Sequence, residues 1–97
     1  MATVGWSQRA LADIQRLYRF LHARNPGAAE RAVVTIQQAA HGLVVFPERG
    51  RRMESDSKVF RELLVEFGSS GYAILYEMRG EQPYILAIKH FREDAYS

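Results

Sequence analysis

The sequence predicts an α+β fold: a short N-terminal strand, an antiparallel helix hairpin, and a mainly antiparallel sheet of three to five strands on which the hairpin packs. Two observations predict it. Apolar residues recur at three- and four-residue spacing in the first half of the chain and at every second position in the second half. The two helical stripes are separated by little more than Asn25-Pro26, and so short a link forces an antiparallel pair. Ninety-seven residues suit a single domain over positions 1–97.

Thr3 to Trp6 is the expected first strand. Ser7 follows as an N-cap, its hydroxyl placed to accept from a free amide of the first turn. Ala10, Leu11, Ile14, Leu17, Tyr18 and Leu21 form one apolar helical stripe, with Gln8, Asp13, Gln15, Arg16 and Arg19 filling the other faces. The helix should stop near Arg24, because Asn25 precedes a proline and is pushed out of helical geometry. Asn25 then caps a second helix and Pro26 fits its first position, where the missing N–H would have had no partner. Its stripe is Ala29, Val33, Ile36, Ala40 and Leu43, fading at Gly42 and ending before Pro47.

Arg51 to Met53 is a candidate short strand. Lys58 to Phe67 is rich in β-formers. Tyr72, Ile74, Tyr76 and Met78 alternate onto one side of the next strand, and Tyr84, Leu86, Ile88 and His90 onto one side of the last. Gly68-Ser69-Ser70-Gly71 and the run from Arg79 to Pro83 are the turns between them.

Composition narrows the function. There is no cysteine, which excludes disulfides and thiolate metal sites and suits a reducing cytoplasm. The opening Met1 to Trp6 lacks a basic stretch followed by an apolar run, so no signal peptide is expected there. His22, His41 and His90 have no ligand spacing, and no glycine-rich phosphate loop or nucleophile elbow occurs, so neither metal nor cofactor is expected. Net charge is only +2, yet of thirteen basic residues only Lys58 and Lys89 are lysine. Arginine presents a planar fork of donors suited to phosphate and carboxylate; an arginine-rich codon bias would give the same excess.

Three places could carry chemistry. Arg49, Arg51 and Arg52 crowd around Gly50, which frees the backbone to turn. Their repulsion is relieved by an anionic partner, or locally by Glu48 and Glu54. Arg61 shares strand parity with Val59, Leu63, Val65 and Phe67, where a charge needs a partner such as Glu77 or a place at the rim. The run from Lys89 to Tyr96 gathers His90, Arg92 and Tyr96, which between them can move protons, hold an anion and stack or donate; a frayed tail with Arg92 paired to Glu93 or Asp94 is the plain alternative.

In order, the phrases Ala10-Leu11-Ala12-Asp13-Ile14, Asn25-Pro26-Gly27-Ala28-Ala29, Phe46-Pro47-Glu48-Arg49-Gly50-Arg51, Phe60-Arg61-Glu62-Leu63-Leu64-Val65, Gly71-Tyr72-Ala73-Ile74-Leu75-Tyr76 and Ile88-Lys89-His90 resemble the RelE/ParE family of bacterial type II toxins over nearly the whole chain. The resemblance implies two activities on one fold. The RelE branch cleaves messenger RNA in the ribosomal A site; the ParE branch poisons DNA gyrase. Both are silenced by a cognate antitoxin, here expected to bury apolar surface of the helix hairpin and to add a strand or helix across the sheet. By resemblance the nuclease positions fall on Arg61, Leu63, Ala73, His90 and Tyr96. Leu63 and Ala73 cannot act, and losing one transition-state donor already costs about 10²–10³ in rate. The expected function is therefore gyrase inhibition, with Arg51, Arg52, Arg61, His90 and Arg92 binding the target. The alternatives are a ribosome-dependent endoribonuclease using Arg61, His90 and Tyr96, and a non-toxic antitoxin-binding module.

Overall fold

The computed structural model describes residues 3–96. Strand β1 is Gly5–Trp6, helix α1 Gln8–His22, helix α2 Pro26–Gly42, and strands β2 to β5 are Arg51–Ser55, Lys58–Phe67, Ser70–Arg79 and Gln82–His90. The five strands form one sheet in the order β1-β5-β4-β3-β2. β1 runs parallel to β5, and every other pair is antiparallel. Among the described residues no helix is long and apolar enough to cross a membrane.

The caps form as the side chains dictate. Ser7 Oγ accepts from the Ala10 N–H at 3.0 Å, and Asn25 Oδ1 accepts from the Ala28 N–H at 3.1 Å. Both stripes face the sheet apart from Leu11, which was expected in the first stripe but is 48% exposed. Ala10 and Leu17 of α1 and Ala32, Ile36, Ala40 and Leu43 at and after α2 meet Leu63, Ile74, Tyr76, Ile85 and Ile88. Each large side chain buried this way contributes about 1.5–3 kcal/mol, which is what holds short helices in place. The β2–β3 hairpin turns on Asp56 and Ser57, both left-handed at φ 52° and 65°, the geometry that matches strand twist in a two-residue loop.

The last strand departs from simple alternation. Leu75 pairs with Ala87, but Tyr76 pairs with Ile85, so Leu86 is an extra residue in β5. This bulge reverses parity. Ile85 and Pro83 turn inward to join Ile88, whereas Tyr84 turns outward beneath the Arg79 guanidinium, 3.6 Å from its ring centre. The expected grouping of Tyr84 and Leu86 with Ile88 and His90 is thus corrected.

Helix α1 takes up the backbone groups the bulge disturbs. Ser7 Oγ donates to the Leu86 carbonyl at 2.9 Å, and the Ser7 N–H donates to Ile85 at 3.0 Å. Asp13 Oδ2 accepts from the Ile88 N–H at 2.9 Å. Asp13, expected on an outer helix face, is only 4% exposed. Its spacing from Ala10 and Leu17 places it within the apolar stripe, and that spacing was readable from the sequence.

Candidate functional site

The register sorts the candidate residues onto two faces. Directly opposed residues share a face. Arg52 opposes Arg61, and Arg61 opposes the fully buried Tyr76, so both arginines lie on the helix-covered side. His90 opposes Tyr72 on that same side. Arg51 opposes Glu62, and Leu64 opposes Ala73, which opposes Lys89; these occupy the other face.

Arg61 and His90 do not converge. They stand four residues and two strands apart in the register, roughly 16 Å between backbones at about 3.3 Å per residue and 4.8 Å per strand. Tyr96 is separated from both by the sheet itself, because the tail crosses the opposite face and its phenol donates to Glu62 Oε2 at 2.7 Å. Of the five positions carried over from the resemblance, Arg61, Leu63 and His90 belong to one face and Ala73 and Tyr96 to the other. The face that carries Ala73 and Tyr96 also carries Glu62 and Glu66, which repel a phosphate.

At the β2 end, Arg61 is an internal tie. Its Nη1 donates to the carbonyls of Gly50 at 2.9 Å and Glu48 at 3.2 Å, and not to Glu77, which holds Arg79 at 2.8 Å. Tyr76 completes the lock: its hydroxyl accepts from the Gly50 N–H at 2.9 Å and donates to the Pro47 carbonyl at 2.8 Å. Glycine is needed at position 50 for closeness, since a Cβ there would lie 2.7 Å from the Tyr76 ring. Arg51 and Arg52 are thereby fixed on an edge strand. Their side chains, 74% and 59% exposed, make ion pairs of 3.3 Å with Glu62 and 2.8 Å with Glu54. The Arg52–Glu54 pair, exposed on both sides, is worth about 0–1 kcal/mol, whereas the Glu62 that meets Arg51 is only 13% exposed.

At the β5 end, Glu93 organises the tail. Its carboxylate accepts from the His90 N–H at 2.8 Å and from Arg16 at 2.5 Å, and Arg16 also holds Asp13 at 3.2 Å. Burial alone would raise the Glu93 pKa, but the His90 N–H and Arg16 outweigh it and hold the value below that of an ordinary carboxylate. Burial works against the Arg16 charge, and Glu93 and Asp13 outweigh it, raising its pKa. The His90 ring packs edge-on to Tyr72 and its Nδ1 accepts from the Arg92 N–H at 3.1 Å. Arg92 thus pairs with neither Glu93 nor Asp94, and its guanidinium is exposed. Burial and the Glu62 carboxylate push the Tyr96 phenol well above its usual range, so it is a neutral donor there. Among the described residues no three His, Asp or Glu side chains group to hold a metal ion.

Sequence reasoning missed Asp13, Arg16, Glu62 and Glu93, the acidic and basic partners that fix the arrangement. Only Asp13 announced itself, by its place in an apolar stripe.

A helix hairpin on one face of a five-stranded sheet is a fold shared with a solved structure. The chain superposes on a structure titled "Chromosomal ParDE TA system from P. aeruginosa" with a TM-score of 0.75 and 25% identity, covering 93% of this chain and 96% of that one. The sequence profile of the ParE toxins of the type II parDE toxin–antitoxin system matches residues 4–95. Toxin RelE3 of Caulobacter vibrioides is 37% identical over 96% of this chain and 98% of its own length. Toxin RelE1 of the same organism is 36% identical over 91% of each chain. The chain belongs to the RelE/ParE superfamily of type II toxins. Membership implies an antitoxin as partner.

Proposed function

We propose that this toxin acts in the cytoplasm by binding DNA gyrase and halting it on DNA, and is not a nuclease. The relatives carry both ParE and RelE names, so the reading rests on geometry. The observation that carries it is the division of the nuclease trio: Arg61 is taken up by two backbone carbonyls, while Tyr96 is bonded to Glu62 on the far side of the sheet from His90. Phosphodiester cleavage by general acid–base chemistry needs proton-transfer and charge-stabilising groups within hydrogen-bond reach of one phosphate. Target binding needs no such convergence. It needs rigid, exposed cations, and Arg51 and Arg52 supply them along the locked β2 edge, one toward each face of the sheet; electrostatic complementarity then favours encounter with an acidic or DNA-bound target.

The test is gyrase supercoiling with purified toxin. Inhibition at micromolar concentration, weakened about tenfold or more by joint Arg51→Glu and Arg52→Glu, is expected. A folded protein with no effect on supercoiling refutes the proposal. Primer extension that finds cuts in translated messages, lost in His90→Ala, would establish the ribosome-dependent nuclease instead.

A further inference from the structure

Strand β2 closes one side of the sheet, and its outer edge pairs with no strand among the described residues. No residue of β2 is buried. Ser55 and Lys58 close the two-residue loop at Asp56 and Ser57, which makes them a doubly hydrogen-bonded pair. Antiparallel pairs alternate between hydrogen-bonded and non-hydrogen-bonded. Arg51, Met53 and Ser55 therefore direct their backbone groups to β3, and Arg52 and Glu54 turn theirs to the free edge. Such a row of N–H and C=O groups is a template for another strand, and proteins commonly blunt it with charge. Here the charges are of both signs and symmetrically placed. In Arg51-Arg52-Met53-Glu54-Ser55, a cation stands one residue before Met53 and an anion one residue after it.

We propose that β2 pairs with β2 of a second copy of this chain, antiparallel about a two-fold axis through Met53, joining two five-stranded sheets into one. In that register Arg52 of each copy opposes Glu54 of the other, Arg51 opposes Ser55, and the two Met53 side chains meet at the axis. This reciprocity is what an isologous interface requires. The backbone agrees with the side chains. Arg52 and Glu54, whose backbone groups face outward, form the hydrogen-bonded pairs on either side of the axis. Met53 falls at a non-hydrogen-bonded pair, where Cα atoms approach to about 4.5 Å. Opposed residues share a face, so the Arg52–Glu54 ion pair, 2.8 Å within one chain, extends into a network of four side chains across the axis. Other self-pairings are poorer. A parallel, in-register pairing sets each arginine against its own copy, and an antiparallel pairing about Arg52 brings two guanidinium groups together. The interface is small, one five-residue strand a side, which places it with weak, concentration-dependent contacts and not with obligate dimers. The pairing itself rests on no target. On the gyrase reading, it covers the edge that meets gyrase, and the monomer is the active form.

The test is the oligomeric state of the purified full chain, with circular dichroism confirming that each variant is folded. Sedimentation velocity should show a monomer that turns into a dimer as concentration rises through the micromolar range. Arg52→Glu and Glu54→Arg should each stay monomeric, because each sets like charges against each other on both sides of the axis. An equal mixture of the two should dimerise again, since opposite charges then meet at every position. The chain has no cysteine, so Met53→Cys introduces its sole thiol, and mild oxidation should link two copies. Ser55→Cys should not link, its Cα atoms lying about 14 Å apart in this register, about twice what a disulfide spans. A toxin that stays monomeric at every concentration overturns the proposal. So does a dimer that forms as well in Arg52→Glu and Glu54→Arg as in the wild type, which puts the contact elsewhere. Linkage in Ser55→Cys equal to that in Met53→Cys overturns the register. Supercoiling inhibition is read separately, so a failure of the gyrase target and a failure of the strand pairing are told apart.

Discussion

Replacing Tyr76 with phenylalanine removes a single oxygen from the centre of the fold and tests whether the loop before β2 is held as described. The hydroxyl is fully buried and makes two bonds, accepting from Gly50 at 2.9 Å and donating to Pro47 at 2.8 Å. Burial raises the phenol's pKa, so it remains a neutral donor across the accessible pH range. Each bond contributes about 0.5–1.5 kcal/mol net, and stranding a buried N–H costs about 1–3 kcal/mol, so the variant should lose about 2–4 kcal/mol. For a domain of this size that is a fall of about 10–20 °C in thermal midpoint. Urea unfolding followed by circular dichroism should show the lower midpoint with an unchanged slope, and the Gly50 amide should exchange with solvent much faster. Looser carbonyls at Glu48 and Gly50 would also release Arg61. A loss below about 0.5 kcal/mol would refute the lock, because surface substitutions already reach that size.

Three further outcomes are expected. Asp13→Ala should cost about 2–4 kcal/mol in the same unfolding assay, because the Ile88 N–H beside the bulge loses its acceptor and Arg16 loses one of two carboxylates. Gly71→Ala should destabilise by about 1–3 kcal/mol or more, since its Cβ would fall 2.2 Å from the Val65 carbonyl and 2.8 Å from the Phe91 ring; proteolysis should then find the tail more accessible. The Glu93 contribution should depend on pH in one direction. Its folded value lies below the ordinary 4.5, so its stabilisation is complete above that value and fades as the pH falls through the lower folded one. The gap in thermal midpoint between wild type and Glu93→Gln should therefore be present at neutral pH and close in acid; a gap that stays constant would contradict the Arg16–Glu93 pairing.

The order of elements, both helix caps, the helix stripes and the span of β3 were legible because each depends on neighbours in sequence. Ser7 and Asn25 cap by reaching three residues ahead, and apolar periodicity needs only a window of a dozen residues. The family resemblance was legible for the same reason, as ordered local phrases. Arg61 shows where this stops. Strand parity placed it on the helix side correctly, but its partners are carbonyls eleven and thirteen residues away, and no pattern in side-chain identity announces a backbone acceptor.

What the amino-acid sequence determined alone was therefore the α+β class, the hairpin and the span of β3, set by local propensity and spacing, and the superfamily, carried by its resemblance. Tertiary structure decided the rest. One extra residue in β5 reversed the parity of Tyr84 and brought Ile85 inward, and the strand order put Arg61 and His90 two strands apart. The path of the tail carried Tyr96 to Glu62 on the opposite face. The physical reason is common to all three: the face and neighbours of a side chain in a sheet depend on register and strand order, and both are fixed by contacts between segments far apart in the chain.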